Sequence, residues 1–413
     1  MRIKGLHFST YKITKLLLIC YLVYNSALNT IGFYVPRLSI ILLIASMFSI
    51  LIAEGNVFYF VKFKEFKWLT IFVVISAITG LIIAIDRSLV VQHVLFLIET
   101  TIVGYLICIV AYRTGEADIV PWAFFIGSLI ISVYIFSGRA VVIGKRLTLS
   151  EVYNPNTLGV FLVFGGWSFL RICGKMKRHI LSVIASVIGS AVLFYLIIQT
   201  GSRKSTIGFV LIFILWVLFV FRARMSQAKR SIRIITSFAL IASVVFIVFR
   251  YGTSFYSVSD TILRRMQDLE NSEGSWTIRL SLIIDALSVF IHNPVFGVGL
   301  NNYKLYSTFL MYSHNTYTEV LACTGLLGGC AFFMTLVTPI KIVFSKITND
   351  IRNKKDKVND GFNFSLVIAF LIICMTQICI YNQNLMMVLA QIMAISVVLR
   401  NNQDWIKNGY ENN

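Results

Sequence analysis

Two short polar stretches in an otherwise apolar chain carry side chains suited to chemistry on an anion. The first, residues 200–205, reads Thr-Gly-Ser-Arg-Lys-Ser and places Arg203 beside Lys204 between two apolar runs. A guanidinium matches phosphate oxygens, and each charge-assisted hydrogen bond of this kind contributes roughly 1.5–3 kcal/mol. The pair is a candidate phosphate site, with lipid headgroups reached by Arg203 as the alternative partner.

The second stretch, residues 312–319, contains His314 at the start of another apolar run. A neutral imidazole takes a proton from a hydroxyl near neutral pH, and the positive end of a helix dipole helps to keep it neutral. A helix-capping or interface histidine is the alternative. Glu319 follows about one helical turn later and is a candidate partner for one of the arginines.

These side chains must be positioned by membrane-spanning helices. The 413 residues are 57% apolar and 13% charged, whereas a soluble domain has about 25% charged residues. Apolar windows of roughly 17–25 residues cross a bilayer as helices. The sequence therefore predicts an all-α polytopic membrane protein of about 12 transmembrane helices. The predicted spans are 14–34, 36–53, 68–85, 89–112, 120–138, 157–171, 179–199, 206–221, 233–250, 316–340, 363–381 and 384–399.

The distribution of positive charge predicts the orientation. If the N-terminus is cytoplasmic, 25 of the 37 Lys and Arg residues fall in inner connections, as the positive-inside rule expects. This bias accounts for the net charge of +19 without nucleic acid. Both termini are then cytoplasmic, and the outer cations include those suited to an anion: Arg146, Arg203, Lys204 and Arg279.

The chain is predicted to form a single integral membrane domain, 1–413, with a long extracytoplasmic loop at 251–315. Within the loop, helical periodicity near 276–291 predicts an amphipathic helix that lies on the membrane surface or caps the spans. Asn293-Pro294 ends this helix, and Gly297 and Gly299 permit a tight turn. The outer segments lack clustered aspartates and the cysteines lack ligand spacing, so neither a metal nor another cofactor is expected.

Four motifs occur together and in order. Arg146 precedes Asn154-Pro155-Asn156, and the Gly-Ser-Arg turn follows at 201–203. Asn293-Pro294-(x)2-Gly297-Val298-Gly299 then precedes His314-Asn315-(x)-Tyr317, with Gly325 and Gly328 in the next helix. Over roughly 139–330 this set resembles the O-antigen ligase and O-antigen polymerase superfamily of bacterial envelopes. Lys204 departs from the pattern, because a small residue often follows the arginine.

The resemblance implies a fold like that of the C-type glycosyltransferases and a role for each matched residue. Arg203 would bind the diphosphate of a polyprenyl-linked glycan, supported by Arg146, Arg279 and Lys204. His314 would orient or deprotonate the acceptor hydroxyl. The remaining candidates would support the site: Asn156, Asn315, Tyr317 and Glu319. The lipid diphosphate supplies its own activation, and arginines can neutralise its charge without a metal.

The leading hypothesis is a polymerase that joins polyprenyl-diphosphate-linked repeat units into a surface polysaccharide, O-antigen or capsule, on the outer face of the bacterial cytoplasmic membrane. A ligase that transfers finished glycan to another acceptor is the alternative. A lipid-linked oligosaccharide flippase is disfavoured, because a transporter places ionisable residues near the bilayer midplane, where only Glu99 stands out. The expected partners are donor and acceptor glycans, membrane lipid and a chain-length regulator.

Overall fold

The computed structural model describes residues 2–55, 63–144, 146–174, 179–221, 273–353 and 357–410. Its one sheet among these residues is the antiparallel hairpin of β1 (Val141–Ile143) and β2 (Arg146–Thr148). The α-helices are α1 (Arg2–Val23), α2 (Leu38–Glu54), α3 (Lys64–Ile83), α4 (Arg87–Thr114), α5 (Ile119–Phe136), α6 (Pro155–Gly174), α7 (His179–Gln199), α8 (Arg203–Leu215), α9 (Glu273–His292), α10 (Tyr303–Tyr306), α11 (Thr316–Asn353), α12 (Lys357–Cys374) and α13 (Gln383–Tyr410).

The long apolar helices confirm an all-α polytopic membrane protein. Six helical stretches among the described residues are long and apolar enough to cross a membrane. They are α3, α4, α5, α6, Thr316–Thr348 of α11 and Gln383–Asn401 of α13. The predicted span 233–250 and the loop residues 251–272 lie outside the described residues.

Two predicted spans continue beyond regular α-geometry. α1 passes into a π-helix at Tyr24–Leu28, and α8 passes into one at Trp216–Phe221. A third predicted span, 363–381, is too long, because α12 ends at Cys374 and residues 375–378 form a loop. Apolar composition runs on past the helix end, so hydropathy alone did not mark this boundary.

Ion pairs and hydrogen bonds show that the connections between helices lie at two ends of the helix bundle. We call one the paired end, because four ion pairs join its connections: Lys15–Glu116, Arg113–Glu54, Arg171–Asp118 and Arg400–Glu65. The other, the site end, comprises residues 84–86, 137–154, 200–202, 293–315 and 375–382. Hydrogen bonds there join Asp86 to Asn302 and Asn301 to Tyr381. Arg203 and His314 therefore lie at the same end of the molecule.

The predicted amphipathic helix is present as α9 (Glu273–His292). Leu282 and Ala286 are buried on its inner side, where the Tyr303 hydroxyl donates to the Leu282 carbonyl. The apolar stripe of Ile284 and Ile291 is exposed on the outer side. An exposed apolar stripe on a helix with a packed inner face is typical of a segment that meets lipid.

Glu99, in the middle of α4, corrects one expectation. Because a carboxylate at the bilayer midplane needs a partner, the sequence predicts that Glu99 is buried and paired with a cation or a hydroxyl. The hydroxyl partner is present, because Tyr21 of α1 donates a hydrogen bond to it. The side chain is nevertheless exposed on the outside of the bundle. Hydrophobic periodicity did not reveal which side of α4 packs inward.

Candidate active site at one end of the helix bundle

The N-terminus of α8 lies close against α6. The chain turns at Gly201 (φ 61°), and α8 begins directly afterwards at Arg203. A Cβ atom on Gly159 of α6 would lie 2.6 Å from the Ser205 hydroxyl, so only glycine permits this approach. Arg203 is exposed on the first turn of α8. Its guanidinium thus lies at the surface of the site end.

Arg146 ties the β-hairpin to this turn. Its Nε donates to the carbonyl of Thr200 (2.9 Å), and one terminal nitrogen donates to Oδ1 of Asn156 (2.7 Å). Asn156 lies in the first turn of α6, where its backbone N–H donates to Oδ1 of Asn154 (2.8 Å). The structure therefore brings together the predicted residues Arg146 and Asn156 with the turn that precedes Arg203.

Lys204 lies among like charges. Its Nζ donates to the carbonyl of Thr376 (3.2 Å), in the loop after α12. Its pKa is lowered to about 8, first by burial and then by the positive charges of Arg279 and Arg146. Cations close enough to lower the pKa of Lys204 make a region of positive potential, which attracts an anion.

His314 lies at the edge of the same positive region. Its pKa is lowered to about 4, first by burial and then by the charges of Arg279 and Lys204. The imidazole is therefore neutral at pH 7. Its ring lies against the ring of Tyr312, with centroids 4.4 Å apart. Through these charges the structure brings together side chains from the β-hairpin, α8, α9 and the start of α11.

The backbone around His314 is held in an uncommon conformation. His314 has a φ of 57°, a region that residues other than glycine rarely adopt. Asn315 caps α11, because its Oδ1 accepts from the backbone N–H groups of Tyr317 and Thr318. The buried Glu319 carboxylate accepts from the backbone N–H of Ser313 (2.8 Å). The cap is thus Asn315, and His314 is the residue before it.

The described partners of the other two supporting candidates are groups other than the cations. Glu319 contacts the Cys323 thiol as well as Ser313, so its described partners differ from the arginine that the sequence suggested. The Tyr317 hydroxyl donates to the Leu371 carbonyl, and its ring stacks on Phe333. Both residues therefore stabilise the start of α11, behind the groups that could meet a substrate.

A loop that sequence reasoning missed connects the two halves of the site. Three consecutive carbonyls, those of residues 375, 376 and 377, accept hydrogen bonds from Asn315, Lys204 and Thr316. The donor–acceptor distances are 3.2, 3.2 and 2.6 Å. The loop thereby holds the first turn of α8 against the first turn of α11. We call residues 375–377 the carbonyl loop.

Residues 294–299 insert beside a break in α11. The break lies at Gly325, whose φ of 60° and ψ of −161° are not helical. Val298 and Gly299 donate to the carbonyls of Ala322 and Cys323, at 3.0 and 2.8 Å. In return, Leu326 donates to the carbonyl of Pro294 at 2.7 Å. The backbone groups released by the break thus find partners, as the apolar membrane interior requires. We call residues 294–299 and 322–327 the interlock.

The close backbone contacts of the interlock explain why the sequence motif has glycine at positions 297 and 325. A Cβ on Gly297 would lie 2.4 Å from the backbone of Cys323, and one on Gly325 would lie 2.4 Å from the Val295 carbonyl. Both positions also have a positive φ, which favours glycine. The interlock joins the end of α9, which carries Arg279, to α11, which begins beside His314. It therefore contributes to the spacing between the Arg279 guanidinium and the His314 imidazole.

The comparisons with known proteins agree with this arrangement. The model of a family described as O-antigen ligase matches residues 188–333, about a third of the chain. The matched range contains Arg203, Lys204, Arg279 and His314, whereas Arg146 and the carbonyl loop lie outside it. No curated protein matches the sequence significantly. The match to residues 188–333 supports the resemblance of the chain to the O-antigen polymerase and ligase superfamily.

Proposed function

We propose that the protein is a polymerase that joins polyprenyl-diphosphate-linked repeat units into a surface polysaccharide outside the bacterial cytoplasmic membrane. The observation that carries this proposal is the set of cations, Arg146, Lys204 and Arg279, around a neutral histidine at one end of the bundle. A diphosphate supplies the negative charge that such a set attracts, and a neutral imidazole can accept the proton of a sugar hydroxyl.

The reaction is a displacement at the donor sugar. The acceptor hydroxyl oxygen attacks the anomeric carbon, and its proton passes to the imidazole of His314. The bond from the anomeric carbon to the diphosphate oxygen breaks, and the polyprenyl diphosphate leaves with the electron pair. Arg203, Arg146, Arg279 and Lys204 stabilise the charge that develops on this leaving group.

Substrate binding prepares the histidine for this role. In the free protein, burial, Arg279 and Lys204 hold the pKa of His314 at about 4, too low for efficient proton transfer at neutral pH. The negative charge of a bound diphosphate opposes the charges of these cations and so raises the pKa of His314. The base therefore gains strength when the donor is in place.

The charge bias of the connections supports the location of the reaction. The paired end carries more Lys and Arg and lies in the cytoplasm with both termini, whereas the site end faces outward. The chain functions as one membrane domain, and the extracytoplasmic segment 251–315 contributes Arg279 and His314 to the site. Donor and acceptor glycans are the substrates, membrane lipid surrounds the chain, and a chain-length regulator is a further partner.

Loss of elongation tests the proposal. Arg203→Ala and His314→Ala should insert into the membrane normally but stop polymer growth, so that product of repeat-unit length accumulates. For His314→Ala we expect a loss of about 10²–10⁴-fold, the usual contribution of a general base. Product length on a gel, alongside protein level in the membrane, measures this effect.

His292→Ala is the matched control, because His292 is exposed at the end of α9 and its ring bonds locally to the Ser288 carbonyl. It should leave chain length unchanged. Normal long chains from His314→Ala or Arg203→Ala would remove that residue from the mechanism.

A ligase is the second candidate, because the matched family model is named for O-antigen ligase. The same displacement transfers finished glycan if the acceptor differs. A strain that lacks the protein distinguishes the two activities. Accumulation of single repeat units indicates a polymerase, whereas accumulation of long unligated polymer indicates a ligase.

A further inference from the structure

An apolar surface adjoins the cationic site and plays no part in the chemistry described above. From the second half of α10 to the residue before Ser313 the chain exposes six large hydrophobic side chains. They are Leu305, Tyr306, Phe309, Leu310, Met311 and Tyr312. We call this surface the apron. Its tip is Leu310, which is 73% exposed. Exposed apolar side chains grouped in this way usually mark a binding surface.

The backbone of the apron argues against burial in the hydrocarbon layer. The segment is built from turns, in which Leu310 donates to the Ser307 carbonyl (3.1 Å) and Phe309 donates to the Ser307 hydroxyl (3.3 Å). Irregular backbone is not tolerated where lipid chains surround it, because its polar groups lack partners there. The outer stripe of α9, by contrast, is on a regular helix. The apron therefore needs a cover other than the bilayer core.

The apron is continuous with the cations. Tyr312, its last residue, packs its ring against His314 with centroids 4.4 Å apart. The charge of Arg279 also reaches Tyr312, where it opposes the rise in the Tyr312 pKa caused chiefly by burial and then by Glu319. A ligand that begins among the cations and continues past Tyr312 passes from a positive surface directly onto an apolar one.

We propose that the apron binds the first isoprene units of the polyprenyl chain of the donor. This inference rests on the proposed function, in which the diphosphate lies among Arg203, Lys204 and Arg279. A prenyl diphosphate has a compact anion joined directly to an apolar chain, and the site end presents these two chemistries in the same order. Contact with the apron holds the leaving group as well as the lipid, and so aligns the anomeric carbon with the acceptor.

The test combines a change in the protein with a change in the donor. Two donors carry the same glycan and diphosphate, one on a long prenyl chain and one, the short-chain donor, on a single methyl group in place of the isoprene units. Leu310→Asn removes the apolar tip but suits the backbone, because asparagine tolerates the positive φ of 51° found there. Ile291→Ser is the matched control, since Ile291 is 69% exposed on α9, outside the apron.

Leu310→Asn should lower kcat/KM for the long-chain donor by about tenfold, the loss expected when some tens of Å² of apolar contact disappear. It should leave kcat/KM for the short-chain donor closer to the wild-type value, so that the preference for the long chain shrinks. Ile291→Ser should keep the wild-type preference. An equal loss with both donors, or no loss with either, would overturn the inference.

A second measurement separates this inference from the proposed function. A prenyl diphosphate with a photoreactive group on its second isoprene unit should label peptides that contain residues 305–312. Labelling confined to other peptides would overturn the apron site even in an active enzyme. If the wild type elongates no prenyl-diphosphate donor, the proposed function fails, and labelling still decides whether the apron binds the chain.

Discussion

The two ends of the helix bundle differ in the groups that surround their cations. At the paired end, each of four cations faces a carboxylate, as in the buried pair of Arg171 and Asp118 (3.4 Å) and in Arg400 with Glu65 (3.1 Å). At the site end, the charges that act most strongly on Lys204 are two further cations, Arg279 and Arg146. Matched charges stabilise the fold, whereas like charges held together are compensated only when an anion binds.

The largest difference between the ends should appear in stability. Arg171→Met leaves the Asp118 carboxylate buried without this partner, a change that typically costs about 3–5 kcal/mol. Lys204→Met removes the hydrogen bond to the Thr376 carbonyl but also a charge that its surroundings disfavour, so it should lower the unfolding midpoint much less than Arg171→Met. Thermal unfolding of the purified proteins in detergent measures both. Equal destabilisation by the two variants would show that the site end depends on its cation as the paired end does.

Alanine substitution of one glycine at each end should give a smaller but clear difference in stability. Gly297 in the interlock and Gly115 at the paired end have similar φ values, 68° and 71°. Alanine at either position incurs a penalty of about 1–2 kcal/mol for the left-handed conformation. Only at Gly297 does the added Cβ also meet backbone, at 2.4 Å, whereas the space around Gly115 is open.

Gly297→Ala should therefore lose more stability than Gly115→Ala, and it should also lose elongation, because α9 and α11 can no longer approach. Unfolding midpoints and product length together test this expectation. Should Gly115→Ala prove as inactive as Gly297→Ala, the interlock would have no special role in the site.

The smallest effect concerns pH. The charge of Arg279 lowers the pKa of His314, so Arg279→Gln should raise that pKa. Since the neutral imidazole is the active form, activity is lost as the pH falls through the pKa of His314. The acid limb of the pH profile, where kcat/KM falls as the pH is lowered, should therefore move to higher pH in Arg279→Gln.

Arg139→Gln is the matched change, since Arg139 is exposed at the site end and is not among the charges that set the pKa of His314. Its acid limb should remain at the wild-type position. An unmoved limb in Arg279→Gln would mean that another group, or another step, controls the pH dependence.

The sequence predicted those features that depend on side-chain type. Apolar runs marked the helices, and charge placed Arg203 and His314 at one end. The clustering of Arg146, Lys204 and Arg279 follows from the same reasoning about the outer connections. Asn315 was expected only as a supporting residue, and its role as the helix cap became clear from the backbone geometry.

Features that depend on the backbone could not be predicted in this way. The break in α11 lies within a continuous apolar run, so hydropathy does not change at Gly325. The partners of the broken helix come from residues 294–299, and spacing along the chain does not reveal that pairing. The packing side of α9 likewise depends on its neighbours, which a periodic pattern does not identify.

The carbonyl loop has a consequence for how this protein can vary. Its three contacts use main-chain oxygens, which every amino acid supplies, so substitutions at Met375, Thr376 and Gln377 leave the acceptors in place. An inserted or deleted residue, however, would shift all three oxygens at once relative to α8 and α11. Relatives with this architecture are thus free to differ in residue identity here while the length of the segment is constrained.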